Sequence, residues 1–172
     1  MNYMFDGCRN FNCDLSEWDV SNVEDMNHMF DDCRNFNCDL SNWDVRHVED
    51  MWKMFYCCRN FNCDLSNWDV RHVIDMEGMF GGCWNFIGDG LENWKPINCK
   101  DMNCMFNNCK SFNCDLSNWD VRHVEDMEFM FEGCDNFTGE GLENWEPINC
   151  KDMKYMFDEC DSLKNIPSWY KY

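Results

Sequence analysis

The chain has 172 residues, with 33 acidic against 14 basic side chains and a formal net charge of −19. That charge excludes bare nucleic-acid phosphate and anionic membrane surfaces as partners. The apolar fraction of 45% suits a sizeable core, yet no run reaches the roughly 20 apolar residues of a membrane span.

The start, Met1-Asn2-Tyr3-Met4-Phe5-Asp6, has neither a basic n-region nor an apolar h-region, so no secretory signal is expected there. Instead Met1-x-x-Met4-Phe5-x-x-Cys8-x-x-Phe11 opens a motif that returns throughout the chain. All fourteen Met fall in Met-x-x-Met-Phe, with pairs at 1/4, 26/29, 51/54, 76/79, 102/105, 127/130 and 153/156. A Cys follows three residues after each Phe, and one Trp closes every unit: Trp18, Trp43, Trp68, Trp94, Trp119, Trp145 and Trp169. Only Trp52 and Trp84 lie outside that series. A fixed period of 25 or 26 residues is the signature of a repeat array.

Two unit types alternate. The commoner reads Phe61-Asn-Cys-Asp-Leu65-Ser-Asn-Trp68-Asp-Val70-Arg-His-Val73, and the other Phe86-Ile-Gly-Asp-Gly-Leu91-Glu-Asn-Trp94-Lys-Pro96-Ile97-Asn-Cys99, with one inserted residue flanked by glycines. Leu65-x-x-Trp68-x-Val70 alternates apolar and polar residues and predicts a short strand. Met76, Met79 and Cys83 recur at i, i+3 and i+7 and predict a short helix, with Asp75 as its N-cap. The same Asp stands at 25, 50, 101, 126 and 152, and His28 is expected on the exposed side of such a helix. The predicted fold is therefore an α/β repeat solenoid, leucine-rich-repeat-like, with one short strand and one short helix per coil. It is a single domain over 1–172, with about seven coils beginning near Met1, Met26, Met51, Met76, Met102, Met127 and Met153.

These residues carry a resemblance. Leu-x-x-Trp-x-Val-x-x-Val resembles the strand segment of a leucine-rich repeat. Met-Phe-x-x-Cys-x-x-Phe is similar to the Ala-Phe-x-x-Cys-x-x-Leu segment of BspA-like repeats. Trp18-Asp-Val-Ser-Asn-Val-Glu-Asp-Met26 is similar to the 25-residue repeat of BspA-family surface proteins and mycoplasma-type lipoproteins. The resemblance spans essentially the whole chain. It implies stacked coils and a role in surface adhesion or protein recognition, including as a virion component. It also points to a cell or virion surface, whereas the start of the chain points to the cytosol.

Met1 is in phase with Met26, so the chain begins inside a unit, and it ends just past Trp169. Either it is a piece of a longer array, or another copy or partner covers the open end, which makes end-to-end self-association through uncapped coils an expectation. The 15 Cys follow the core periodicity and are expected as reduced structural thiols; disulfides and a soft-metal site formed with Met are the alternatives.

Asp14, Asp39, Asp64 and Asp115 form one acidic column and Asp19, Asp44, Asp69 and Asp120 another. Calcium, or turn and capping duty, would explain them. Arg46-His47, Arg71-His72 and Arg122-His123 form a short basic row beside the second column. Those ten residues, Asp19, Asp44, Asp69, Asp120, Arg46, Arg71, Arg122, His47, His72 and His123, are the candidate interaction surface. Every polar candidate recurs from unit to unit, which speaks for architecture over a unique catalytic centre. The sequence thus predicts a non-enzymatic module for protein–protein interaction or a structural surface role, without cofactor or resident metal. A protein partner is expected, and neither nucleic-acid binding nor membrane insertion. The alternatives are an acidic DNA-mimic inhibitor and a metal-binding solenoid built on Cys, Met and Asp.

Overall fold

The computed structural model describes residues 1–171. Each 25-residue unit closes one coil, and it does so with tight turns. In the unit around Trp68, backbone N–H groups donate across four-residue turns from Trp68 to Leu65 (3.1 Å), Val73 to Val70 (3.1 Å), Met79 to Met76 (3.1 Å), Cys83 to Phe80 (2.9 Å) and Phe86 to Cys83 (3.2 Å). The apolar residues stand at the first and last positions of these turns. Leu65, Trp68, Val70, Val73, Met76, Met79, Phe80, Cys83 and Phe86 are all buried there. These turned corners point one continuous column of core inward from every unit.

The predicted α/β class is overturned. Among the described residues the regular elements are two 3-10 helices, Leu91–Asn93 and Leu142–Asn144, and single-residue parallel bridges. The bridges join Asp25 to Asp50, Asp50 to Asp75, Asp75 to Asp101, Asp101 to Asp126 and Asp126 to Asp152. No strand and no α-helix forms among the described residues of any coil, so the leucine-rich-repeat description fails with the strand it requires.

Backbone conformation explains why the helix is absent. The third residue of each turn in the Met-Phe-Cys segment is left-handed: His28 (φ 49°) and Asp32 (φ 52°) in one coil, Lys53 (φ 50°) and Cys57 (φ 59°) in the next. An α-helix needs φ near −63° throughout. The alternate amides are also committed elsewhere. Met51, Lys53, Phe55 and Cys57 donate to Asp75, Glu77, Met79 and Gly81 of the following coil at 2.7–3.0 Å. The strand fails for a related reason: the N–H groups of Trp68 and Val73 close turns within their own coil and are not free for a ladder.

Aromatic rings then stack from coil to coil. Phe30, Phe55, Phe80 and Phe106 lie nearly parallel with centroids 5.6–5.7 Å apart, and Trp68, Trp94 and Trp119 at 6.2–6.3 Å. Within each coil a second ring packs on the first, as with Phe30 and Phe36 at 4.1 Å. Such stacking adds about 0.5–1.5 kcal/mol per pair beyond area burial.

The longer unit places its extra residue at one corner. Gly90 (φ 92°) precedes the 3-10 helix Leu91–Asn93 and lies against the backbone of Ser66 in the preceding coil. Gly141 (φ 88°) sits the same way against Ser117. A side chain has no room at either position, which is why glycine flanks the insertion.

Candidate interaction face

The ten candidate residues come from one corner of the coil, between the Trp and the bridging Asp. Val45 and Val48 are buried beneath it and hold the turn Val45–Val48 against the core. Asp44 and Arg46 flank Val45, so both side chains are forced outward. There the Arg46 guanidinium donates to both carboxylate oxygens of Asp44 at 2.5–2.9 Å. Arg71 repeats the pairing with Asp69 (2.6 Å) and Arg122 with Asp120 (2.6 Å). The Arg side chains are more than half exposed, so solvent screens each pair and leaves it little weight in stability. The paired guanidinium nevertheless holds the carboxyls below their ordinary range, Asp120 to about 2.

The structure brings the predicted residues together as a row with defined gaps. Asp19 departs from the pattern, because Ser21 stands where the other coils have Arg; Asp19 accepts from the Ser21 N–H and hydroxyl instead. His47, His72 and His123 are exposed beside the Arg row, and His47 Nδ1 lies 2.7 Å from the Ser21 carbonyl oxygen. Asn22, Glu24, Arg46, His47, Glu49 and His72 line a shallow cleft of about 260 Å³. In the longer units the Arg position is taken by Ile97 and Ile148, both exposed, and Ile74 is exposed nearby. The face is therefore a mixture of ion pairs, imidazoles and isolated aliphatic side chains.

The other acidic columns serve the backbone. Asp14, Asp39, Asp64 and Asp115 each accept, through Oδ1, the N–H of the serine two residues on at 2.8–2.9 Å. The bridging Asp residues do the same: Asp25 to Asn27, Asp50 to Trp52, Asp75 to Glu77 and Asp101 to Asn103, each at 2.9 Å. They have the capping role that the sequence predicts, but they cap a turn and not a helix. Burial raises the carboxyl of Asp101 to about 6, and the neighbouring charges of Asp75, Asp126 and Glu77 add to it. Among the described residues no group of three or more His, Cys, Asp or Glu side chains is placed to hold a metal ion.

Two sets of donors escape sequence reasoning. Buried thiols of the Met-Phe-x-x-Cys column reach back one coil to a backbone carbonyl: Cys58 to Phe30 (2.9 Å), Cys83 to Phe55 (3.0 Å), Cys109 to Phe80 (2.9 Å) and Cys134 to Phe106 (3.0 Å). The buried indoles of the repeating Trp column do likewise: Trp68 to Leu40 (3.0 Å), Trp94 to Leu65 (3.0 Å), Trp119 to Leu91 (2.8 Å) and Trp145 to Leu116 (2.9 Å). The only signal for them is the fixed spacing from Phe to Cys and from Leu to Trp. All 15 Cys are free thiols, and burial pushes those of Cys58, Cys83 and Cys134 far above the ordinary thiol range.

His28 also differs from expectation. It is half-buried in a turn, with Nδ1 2.8 Å from Asp31 Oδ2, its ring stacked on Tyr3 (4.6 Å) and edge-on to Trp52 (4.6 Å).

Fold and face together define a repeat protein of stacked turns, with an aromatic and sulfur core and a polar, recurring exterior. The chain belongs to the family described as Mycoplasma protein of unknown function, DUF285, whose model matches residues 1–89 and again 74–171. It matches no curated protein and no solved structure. Among the described residues no helix is long and apolar enough to cross a membrane.

Proposed function

We propose that the chain is a non-enzymatic protein-recognition scaffold whose contact face is the row Asp44–Arg46, Asp69–Arg71 and Asp120–Arg122 with its flanking His47, His72 and His123. The observation that carries this reading is the repeated outward presentation of one Asp–Arg pair in three of the four common coils, on a corner locked by buried valines. Pre-paired charges spaced by coil stacking, interrupted by exposed Ile74, Ile97 and Ile148, suit a polar and apolar protein surface. Acidic mimicry of a duplex is less favoured, because the Asp14, Asp39, Asp64 and Asp115 carboxylates are turned into their own backbone. The BspA-like resemblance suggests that the contact is made at a cell or particle surface.

The test compares three immobilised proteins: wild type, the charge-reversed Arg46→Glu/Arg71→Glu/Arg122→Glu, and a control, Asn10→Ala/Asn60→Ala, altered in the exposed Asn row. A protein retained in stoichiometric amounts by wild type and control, and lost from the reversed variant, supports the reading. Equal retention by all three, or by none, overturns it.

A further inference from the structure

A second corner of the coil follows the Cys of the Met-Phe-x-x-Cys column. Its residues in successive coils are Arg9, Arg34, Arg59, Trp84 and Lys110. The chain itself shows how this corner holds a carboxylate. Asp32 stands at φ 52° and sends its N–H to the Tyr56 carbonyl of the next coil (2.8 Å). Its carboxylate accepts from Arg9 Nε of the preceding coil (2.7 Å) and from Arg34 Nε of its own coil (2.7 Å). Two guanidiniums from consecutive coils thus grip one carboxylate between them.

One coil further on the two guanidiniums recur as Arg34 and Arg59, but the carboxylate does not. Cys57 takes the place of Asp32 on the same backbone, with φ 59° and an N–H donated to Gly81 (2.7 Å). Its thiol is half-buried beside Gly82, where a Cβ would lie 3.1 Å from Sγ. Burial raises the Cys57 thiol above its ordinary value, Asp31 and Asp32 add to this, and Arg59 and Arg34 oppose it, so the thiol stays neutral. Both acidic neighbours are engaged: Asp32 by Arg9 and Arg34, and Asp31 by His28 Nδ1 (2.8 Å). Asp32 takes only Nε and, at 3.5 Å, Nη2 of the Arg34 fork, which has five N–H donors. Among the described residues no carboxylate pairs with Arg59. Its guanidinium lies over the ring of Trp84, 4.1 Å from the centroid, and Trp84 is 41% exposed.

We propose that the notch between Arg34 and Arg59, with Cys57 and Gly82 as its floor and Trp84 beside it, binds the carboxylate of an acidic sugar, a uronic or sialic acid residue of a glycan. The ligand carboxylate takes the position that Asp32 fills one coil earlier. Trp84 holds the Arg59 guanidinium in place before the ligand arrives, so binding has less order to impose. The exposed part of the indole offers an apolar surface to the C–H face of a pyranose. An acidic side chain of a peptide meets the same two guanidiniums, but it loses rotamer freedom that a rigid ring does not have to lose. The net charge of −19 opposes long polyanions. A single carboxylate inside the Debye length of about 8 Å answers to the guanidiniums nearest to it. This site stands apart from the Asp–Arg row proposed above as the protein contact.

The experiment titrates the full chain with methyl glucuronide in reducing buffer and follows the Trp84 indole and Arg59 Nε–H signals by nuclear magnetic resonance. Both signals should shift and saturate. Methyl glucoside, which lacks the carboxylate, should leave them in place, and N-acetylglutamate α-amide, a peptide-like carboxylate, should bind several-fold more weakly. Cys57→Asp restores the internal carboxylate on a backbone that Asp32 already adopts, so it should keep wild-type near-UV spectra and weaken glucuronide binding about tenfold or more. Arg59→Gln should lose a similar factor, and it reads the site should Cys57→Asp fail to fold. Lys110→Gln, two coils beyond Arg59 on the same corner, should bind as wild type does. No saturable shift with the glucuronide overturns the proposal, as does an equal response to the glucoside. So does N-acetylglutamate α-amide binding as tightly as the glucuronide, or a folded Cys57→Asp or Arg59→Gln with wild-type affinity.

Discussion

Replacing Gly90 by alanine tests whether the longer units are accommodated by a backbone-on-backbone approach. An ideal Cβ at Gly90 would lie 2.2 Å from the Ser66 backbone nitrogen and 2.7 Å from Asp64 Oδ1. A backbone atom of a neighbouring coil cannot step aside as a flexible side chain can. The φ of 92° adds the left-handed penalty of about 1–2 kcal/mol. Overpacking against a closely fitted neighbour adds roughly 1–3 kcal/mol. Gly90→Ala should therefore lose about 3–5 kcal/mol, toward the upper end of the summed range because the clash is with main chain. For a chain of this length that corresponds to a fall of about 6–20 °C in Tm. Gly7→Ala is the control, because Gly7 has φ 71° but a Cβ there would meet nothing within 4 Å; it should cost only the backbone penalty, about 1–2 kcal/mol. Urea unfolding followed by tryptophan fluorescence reads both. Hydrogen exchange at the Ser66 amide should accelerate in Gly90→Ala alone. Equal losses for the two variants would refute the packing argument and leave only backbone strain.

Three further outcomes are expected. A thiol reagent should label exposed Cys8 and Cys13 rapidly in native protein, spare Cys58, Cys83, Cys109 and Cys134, and reach all 15 Cys only in denaturant; fast labelling of the buried four would contradict the carbonyl-bonded core. Trp119→Phe keeps the ring stack but removes the 2.8 Å indole bond to Leu91, and should cost about 1–3 kcal/mol in the urea midpoint; a neutral result would show that ladder to be incidental. Asp101, raised to about 6 by burial, holds a proton in the folded chain that the unfolded chain releases near pH 4, so its contribution to stability improves as pH falls from about 6 to 4. Asp101→Asn keeps an oxygen for the Asn103 N–H and should stabilise the fold at pH 7 by about 1 kcal/mol once solvent screening of a half-buried group is allowed for. An unchanged difference between pH 4.5 and 7 in wild type and variant would remove Asp101 as the source.

The core is legible residue by residue, while its backbone is not. Met54, Phe55, Cys58, Phe61 and Trp68 are buried as their spacing requires. Yet the spacing of 3, 4 and 7 that reads as a helix is also the spacing of consecutive four-residue turns whose end residues face inward. Periodicity reports which side chains share a side, and two backbones satisfy it here. The residues that decide between them are His28, Asp32, Lys53 and Cys57, all left-handed without being glycine. Nothing in their side chains advertises that conformation; it is imposed by the neighbouring coil that takes their amides. The Asp–Arg row is legible because two residues flanking a buried valine must share a face. The thiol and indole bonds are hidden because they depend on the stacking register between units, which no single unit contains.

The coil register also governs how the chain finds its fold. The hydrogen bonds that join neighbouring coils link residues 22 to 29 positions apart, as with Trp68 to Leu40 at 28 and Asn62 to Asn37 at 25. Loop-closure entropy grows only logarithmically with the length closed, so docking each new coil on an ordered one carries nearly the same cost along the whole array. What differs is the first pair, which must order two coils before either has a template. Folding should therefore begin where two neighbouring units are locally strongest and spread outward in single-coil steps. The order in which the coils acquire exchange protection would trace that front.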